Sequence, residues 1–250
     1  AQPSLMKAPI CPSFLRLNIR SASTDPANMD LTRRAFNRSL LAGLAGAVLP
    51  VHSRVVKAAP LVEGRDYERI LPPQPGESPG RIEVIEFFSY GCPHCKDFHP
   101  LVMAWAAKLP RDVSFKRVPV TFGRATWTNL ARLYFALEVT GDLARLDDAV
   151  FRAIHEERIN LFTPSAITAW VKREGVDEKR FKAAFDSFGV SAQIARSDQM
   201  VRNYRIRSVP RLTVAGRYQV TGQAARSLAD LLPIADGLIA MSRQAVSPAR

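Results

Sequence analysis

The chain is predicted to fold as an α/β protein in which a strand–helix–strand unit and a later strand–strand–helix unit enclose an all-helical block. Three observations carry that prediction. An apolar run, Ile82 to Phe88, passes directly into Cys92-Pro93-His94-Cys95 and then into a helical pattern. Helical stripes fill the middle of the chain, and short apolar runs separated by a glycine turn return only after Pro210.

Taken in order, Tyr67 to Leu71 reads as a first short strand, and Pro72-Pro73-Gln74-Pro75-Gly76 breaks the chain into a loop. A buried strand spans about Arg81 to Ser89, and a helix runs from the cysteines to Leu109. Pro100 lies inside that helix, where it removes a backbone hydrogen bond and bends the axis. Val113 to Val120 is the next strand. Leu130, Leu133, Tyr134 and Leu137 follow the i, i+3, i+4, i+7 spacing up to a stop at Gly141. Thr163-Pro164 opens a helix that ends near Gly175, and Phe181, Ala184, Phe185 and Phe188 form a further apolar stripe expected to pack in the core. Leu212 to Ala215 and Tyr218 to Thr221 are strands turned at Gly216, and a last helix runs from about Ser227 to Arg243.

The 250 residues, 47% of them hydrophobic, allow one or two domains and an ample core. A formal charge of +12 invites a nucleic-acid reading. However, residues 1 to 58 hold eight Lys/Arg and two Asp/Glu, which leaves +6 downstream, spread over helices that also carry acids. Such charges make a solvated face, and no nucleic-acid partner is expected.

Residues 1 to 58 read as a leader outside the fold. Thr32-Arg33-Arg34-Ala35-Phe36 is a twin-arginine pattern, Leu40 to Leu49 an apolar region, and Val56-Lys57-Ala58 a cleavage site. Met29 is a natural start, so residues 1 to 28 are expected to be disordered upstream sequence. The alternative is a short buried helix, which Gly43 and Gly46 weaken and whose length cannot span a bilayer. Export in a folded state by a twin-arginine route follows as the expectation.

Of the three cysteines, Cys11 falls in the leader, so Cys92 and Cys95 are the one pair of the exported portion. On a strand-to-helix turn they can close a small disulfide whose first sulfur sits at a helix N-terminus. Cross-linking so short a loop contributes little stability, so an exchange role is favoured over a structural one. The helix dipole, its free N–H groups and a charged His94 all favour a Cys92 thiolate, which lowers its pKa. Cys95, a turn further along, is expected to be the more buried thiol.

His94 and His99 also permit a zinc reading with the two cysteines. No second C-x-x-C or spaced histidine pair supplies the usual separated ligands, so no metal is expected and His99 is placed on the surface. Glu86 lies within an apolar strand, where burial raises a carboxyl pKa. Pairing with Lys116 or Arg117 on the next strand would satisfy that burial. Val209-Pro210 precedes a strand, and the missing proline N–H leaves backbone groups free for an extended substrate.

Glu86-Phe87-Phe88-Ser89-Tyr90-Gly91 leading into Cys92-Pro93-His94-Cys95, with Ser208-Val209-Pro210 and Gly216-Arg217-Tyr218 further on, resembles the DsbA-type thiol:disulfide oxidases of the bacterial periplasm. The resemblance covers roughly residues 62 to 243. It implies a thioredoxin fold with an inserted all-helical domain, divided as residues 60–122, 123–205 and 206–245. It also implies a catalytic Cys92–Cys95 disulfide needing no other cofactor, supported by Pro93, His94 and Glu86, and a cis Pro210 that presents Val209 to substrate. Similarity to thioredoxin-fold enzymes implies that Glu86 shuttles protons to Cys95, with pairing to Lys116 or Arg117 as the alternative. The implied activity is donation of that disulfide to reduced, unfolded exported proteins. Reoxidation then falls to a DsbB-type quinone-linked membrane partner. A monomer is expected. Val209 favours oxidase over isomerase, and Gly91, where relatives carry a larger residue, is expected to open the approach to Cys92. An isomerase or reductase on the same fold, and a peptide-binding chaperone without redox chemistry, are the alternatives.

Overall fold

The computed structural model describes residues 60–246. Residues 1 to 58, expected to be a leader with a twin-arginine pattern and a cleavage site, lie outside the described residues, as does Cys11. Among the described residues no helix is long and apolar enough to cross a membrane.

Five strands form one sheet: β1 (Tyr67–Arg69), β2 (Ile82–Phe88), β3 (Val113–Pro119), β4 (Arg211–Val214) and β5 (Tyr218–Val220), in the order β1-β5-β4-β2-β3. Strand β2 pairs parallel with β3 and antiparallel with β4. Its central place explains its sequence, because a strand covered on both faces reads as an unbroken apolar run. Val84 faces a core shared with Phe98, Val102, Leu212 and Leu238, whereas Ile85 and Phe87 face a second core with Val118, Tyr204 and Ile206. Glu86 and Phe88 fall by alternation on the Val84 face.

Helix α1 (Pro93–Ala106) crosses between β2 and β3, starts on Pro93 and contains Pro100. Helices α2 (Ala125–Thr140), α3 (Leu143–His155), α4 (Pro164–Arg173), α5 (Glu178–Phe185) and α6 (Phe188–Asn203) make up the helical block, and α7 (Leu231–Val246) closes the chain after a 3₁₀ turn at Leu228–Asp230. The stops and starts follow local chemistry. Gly141 adopts a left-handed φ of 77° and ends α2, and the Thr163 hydroxyl accepts from Ala166 N–H to open α4, with Pro164 as its first residue. Leu130, Leu133, Tyr134 and Leu137 are all buried, as their spacing demands.

Phe188 departs from the expected stripe: it is 87% exposed. Helix α5 ends at Phe185, and the Ser187 hydroxyl caps a new helix by accepting from Val190 N–H at 3.1 Å. The helical phase restarts there, so Phe188 sits on the first turn of α6 and points away from the core. Gly216 holds the β4–β5 turn in a left-handed conformation, where an added Cβ would collide with the Gln74 carbonyl oxygen.

Candidate active site

Strand β2 ends at Phe88 and α1 begins at Pro93, so the turn between them delivers Cys92 to the helix N-terminus as its cap residue, with φ −100° and ψ 118°. Cys95, one turn in, is fully buried, while Cys92 keeps 7% of its surface. The order of burial expected from the sequence holds. Both thiols are unbonded in this structure.

The two sulfurs differ in chemistry because of that placement. The Cys92 pKa is lowered to about 6: the Cys95 thiol donates to it, and the backbone N–H groups of Cys95 and His94 and the charge of His94 add to the effect against burial. The leading contribution is thus the partner thiol, with the helix N-terminus and His94 behind it. Burial pushes the Cys95 thiol far up, and the neighbouring Cys92 adds to the shift. Pro93 and His94 are exposed on the first turn of α1. At neutral pH a Cys92 pKa of about 6 leaves roughly nine-tenths of that residue as thiolate.

The loop ahead of β4 brings Val209 and Pro210 to the pair. The Val209–Pro210 peptide bond is cis, and Cys92 Sγ lies 3.5 Å from Val209 O. A residue 117 positions away in sequence therefore forms one wall of the site. Gly91 is not the opening expected of it. A Cβ there would lie 2.9 Å from Trp127 Nε1 and 3.1 Å from Leu130 Cδ1, so helix α2 fills the space that a side chain would take.

Beneath α1, Glu86 is wholly buried and its Oε2 accepts from Arg117 Nε at 2.7 Å. Parallel register sets Glu86 beside Arg117 on one face of the sheet. Lys116, one residue off and on the other face, pairs with Glu77 and Glu83 instead. Arg117 also donates to Asp147 on α3, and its guanidinium lies 3.8 Å above the Phe88 ring. Tyr90 O–H donates to Asp147 at 2.6 Å, and His155 bonds the Tyr90 carbonyl oxygen at 2.7 Å. Burial raises the Glu86 carboxyl pKa against the pull of Arg117, whereas Glu86 and Asp147 together hold Arg117 charged despite its burial.

His99 was expected on the surface and is instead 4% exposed, with Nε2 at 2.8 Å from Asp148 and 3.6 Å from Asp147. Helix α3 supplies both acids, and only the packing of α3 on α1 brings them there. Burial, then the charge of Arg117, lowers the His99 pKa. Sequence reading missed this cluster's members Tyr90, Asp147 and His155. No local signal marks them, because their meeting depends on the β2–β3 register and on the packing of α3. Among the described residues no group of three or more His, Cys, Asp or Glu side chains could hold a metal ion.

Comparison with known proteins places this geometry. A family model described as a DSBA-like thioredoxin domain matches residues 83–232. A thiol:disulfide interchange protein DsbA of Azotobacter vinelandii is 36% identical over 213 residues, covering 85% of this chain and 99% of its own length. The protein of the same name from Pseudomonas aeruginosa strain PAO1 is 33% identical and covers 83% and 98% respectively. Among solved structures, Pseudomonas aeruginosa DsbA aligns with a TM-score of 0.71 at 35% identity, covering 74% of this chain and 96% of that one. An oxidoreductase DsbA from Xylella fastidiosa aligns with a TM-score of 0.69 at 34% identity, covering 74% and 100%. The fold is thus a thioredoxin fold carrying a helical insertion.

Two outcomes follow from the site. The ultraviolet thiolate absorbance of the reduced protein titrates with a midpoint near pH 6, and Cys95→Ala moves that midpoint upward by removing the leading donor. Because the folded-state pKa is depressed, the thiolate's stabilisation of the reduced protein is complete above the ordinary thiol pKa and is lost as pH falls through about 6. Arg117→Met leaves Glu86 and Asp147 buried without their cation and lowers stability by roughly 3–5 kcal/mol in denaturant unfolding.

Proposed function

The chain belongs to the family of DSBA-like thioredoxin domains, and on that premise we propose that it is a protein thiol:disulfide oxidoreductase that donates a Cys92–Cys95 disulfide to reduced exported polypeptides. The observation that carries the reading is the unequal placement of the two sulfurs: Cys92 caps the N-terminus of α1 against Val209 O while Cys95 is fully buried one turn in, which drives their ionisations apart.

A substrate thiolate attacks Cys92 Sγ, the S–S bond to Cys95 breaks, and Cys95 leaves with the electron pair and takes up a proton. The mixed disulfide is then attacked at the substrate sulfur by a second substrate thiolate, which forms the substrate disulfide and expels Cys92 as a thiolate. Two electrons pass from substrate to the enzyme pair. A thiolate with a pKa of about 6 is a good leaving group, so the second step is fast, and the stabilised reduced state makes the disulfide a strong oxidant.

Val209 O and the cis Pro210 frame the exposed edge of Cys92, which suits an extended segment lying against them. The helical block over residues 123–205 covers the pair, with Gly91 against Trp127, while residues 60–122 and 206–245 supply the sheet. Glu86 is tied to Arg117 through Oε2 and keeps Oε1 buried without a partner among the described residues, which favours a part in proton uptake by Cys95 beyond the structural pairing. Periplasmic export by the twin-arginine leader, reoxidation by a DsbB-type quinone-linked membrane protein and action as a monomer complete the reading.

Equilibration with glutathione tests it. The Cys92/Cys95 couple remains largely reduced under glutathione ratios that keep an ordinary structural disulfide oxidised; a couple as reducing as such a disulfide excludes the donor role. In the same exchange reaction followed across pH, Glu86→Gln removes part of the pH dependence of the step that expels Cys95. An unchanged profile reduces Glu86 to the partner of Arg117.

A further inference from the structure

Arg211 is the first residue of β4, immediately after Pro210, and its guanidinium is half-buried. Nη1 donates to the Val220 carbonyl at 2.6 Å and Nη2 to the Ser208 hydroxyl at 2.7 Å, so the side chain braces the loop that presents Val209 to Cys92. Its Nε is buried without a hydrogen-bond partner among the described residues, and the acceptors it does have are neutral. A partly buried cation met only by neutral acceptors is poorly compensated. Burial accordingly pushes the Arg211 pKa down, opposed by the charge of Glu68.

The shortage of negative charge extends around it. A cavity of about 460 Å³ opens beside Arg211, lined also by Arg69, Arg205 and Arg207 and by one carboxylate, Glu68. Arg69 pairs with Glu63 at 3.0 Å, outside the cavity lining. The described residues give Arg205 and Arg207 no carboxylate partner, and both are exposed. The recess is therefore cationic, polar and open, and it sits two residues along the chain from the carbonyl that touches Cys92.

We propose that this recess is a substrate subsite for a side-chain carboxylate, held by the exposed Arg205 and Arg207 with the under-compensated charge of Arg211 beside them, while the substrate cysteine engages Cys92. Two extended residues span about 7 Å, so a polypeptide lying along Val209-Pro210 brings an Asp or Glu within a few residues of its cysteine to the arginine forks. The subsite rests on the thiol-exchange reading and adds to it a preference among substrates. Guanidinium groups suit a carboxylate because they offer paired donors in its plane. No covalent step changes; the carboxylate raises the rate of productive encounter and holds the segment in place.

Competitive oxidation of three peptides tests this, each with one cysteine pair and amidated C-termini, and with Glu, Gln or Lys within three residues of the reactive cysteine. The oxidised full-length protein processes the Glu peptide about fivefold faster than the Gln peptide at low ionic strength, as expected for two partly exposed ion pairs, and the ratio shrinks in high salt. Arg205→Gln with Arg207→Gln brings the ratio toward one, and Arg205→Glu with Arg207→Glu reverses the order in favour of Lys. Comparing ratios between proteins cancels the intrinsic reactivity of each peptide thiol. Equal rates for Glu and Gln peptides with the unaltered protein, or a ratio untouched by the charge reversal, overturn the subsite while leaving disulfide donation standing. Failure to oxidise any of the three peptides overturns donation itself and the subsite with it.

Discussion

The buried guanidinium of Arg117 is the constraint around which the active-site end of this molecule is arranged. It reaches Glu86 on the neighbouring strand and Asp147 on a helix of the inserted block, and it covers the face of Phe88. A charge at that depth is tolerable only when opposite charges meet it in good geometry. Strand β3 therefore cannot shift against β2, nor α3 against the sheet, without exposing one of three ions to an apolar surrounding. Tyr90, His99 and His155 add their bonds to the same joint, so the turn carrying Cys92 is held from below and from the side.

That rigidity has a chemical consequence. A thiolate at a helix N-terminus is stabilised only if the N–H groups stay aimed at the sulfur, and a buried second thiol donates only if it cannot swing away. Here the first sulfur is capped by the backbone of His94 and Cys95 and by the Cys95 thiol, while the Val209 carbonyl closes the remaining side. One cysteine is made a ready leaving group and the other a reluctant anion. The difference arises from depth of placement, since the residues are chemically identical.

The basic recess beside Arg211 extends this logic from chemistry to selection. The same side chain that braces the loop in front of Cys92 borders the arginine-rich hollow. Contacts at the sulfur alone discriminate little between polypeptides, since every substrate offers a cysteine there. A charged hollow a few residues away supplies the discrimination that the reacting atoms cannot.

Much of this was legible in the chain itself. The apolar run through β2 announces a strand covered on both faces, the C-x-x-C after it places two thiols on a strand-to-helix turn, and glycine or proline punctuation bounds most helices near their observed ends. Such signals are local, carried by backbone preference and by the periods of strand and helix. Phe188 misled because one capping serine restarts a helix, a change of phase that a continuous stripe conceals. Amino-acid order alone thus determined the five strands, several of the helices, the cysteine pair on its strand-to-helix turn and the likeness to a family of disulfide donors, but it passed over helix α3, which carries Asp147 and His155. The tertiary structure alone decided that His99 is buried against two aspartates, that Trp127 fills the space beside Gly91, and that Glu86 answers to Arg117 and not Lys116. These follow from packing between segments far apart in sequence, where burial and distance, not residue type, set which charges meet.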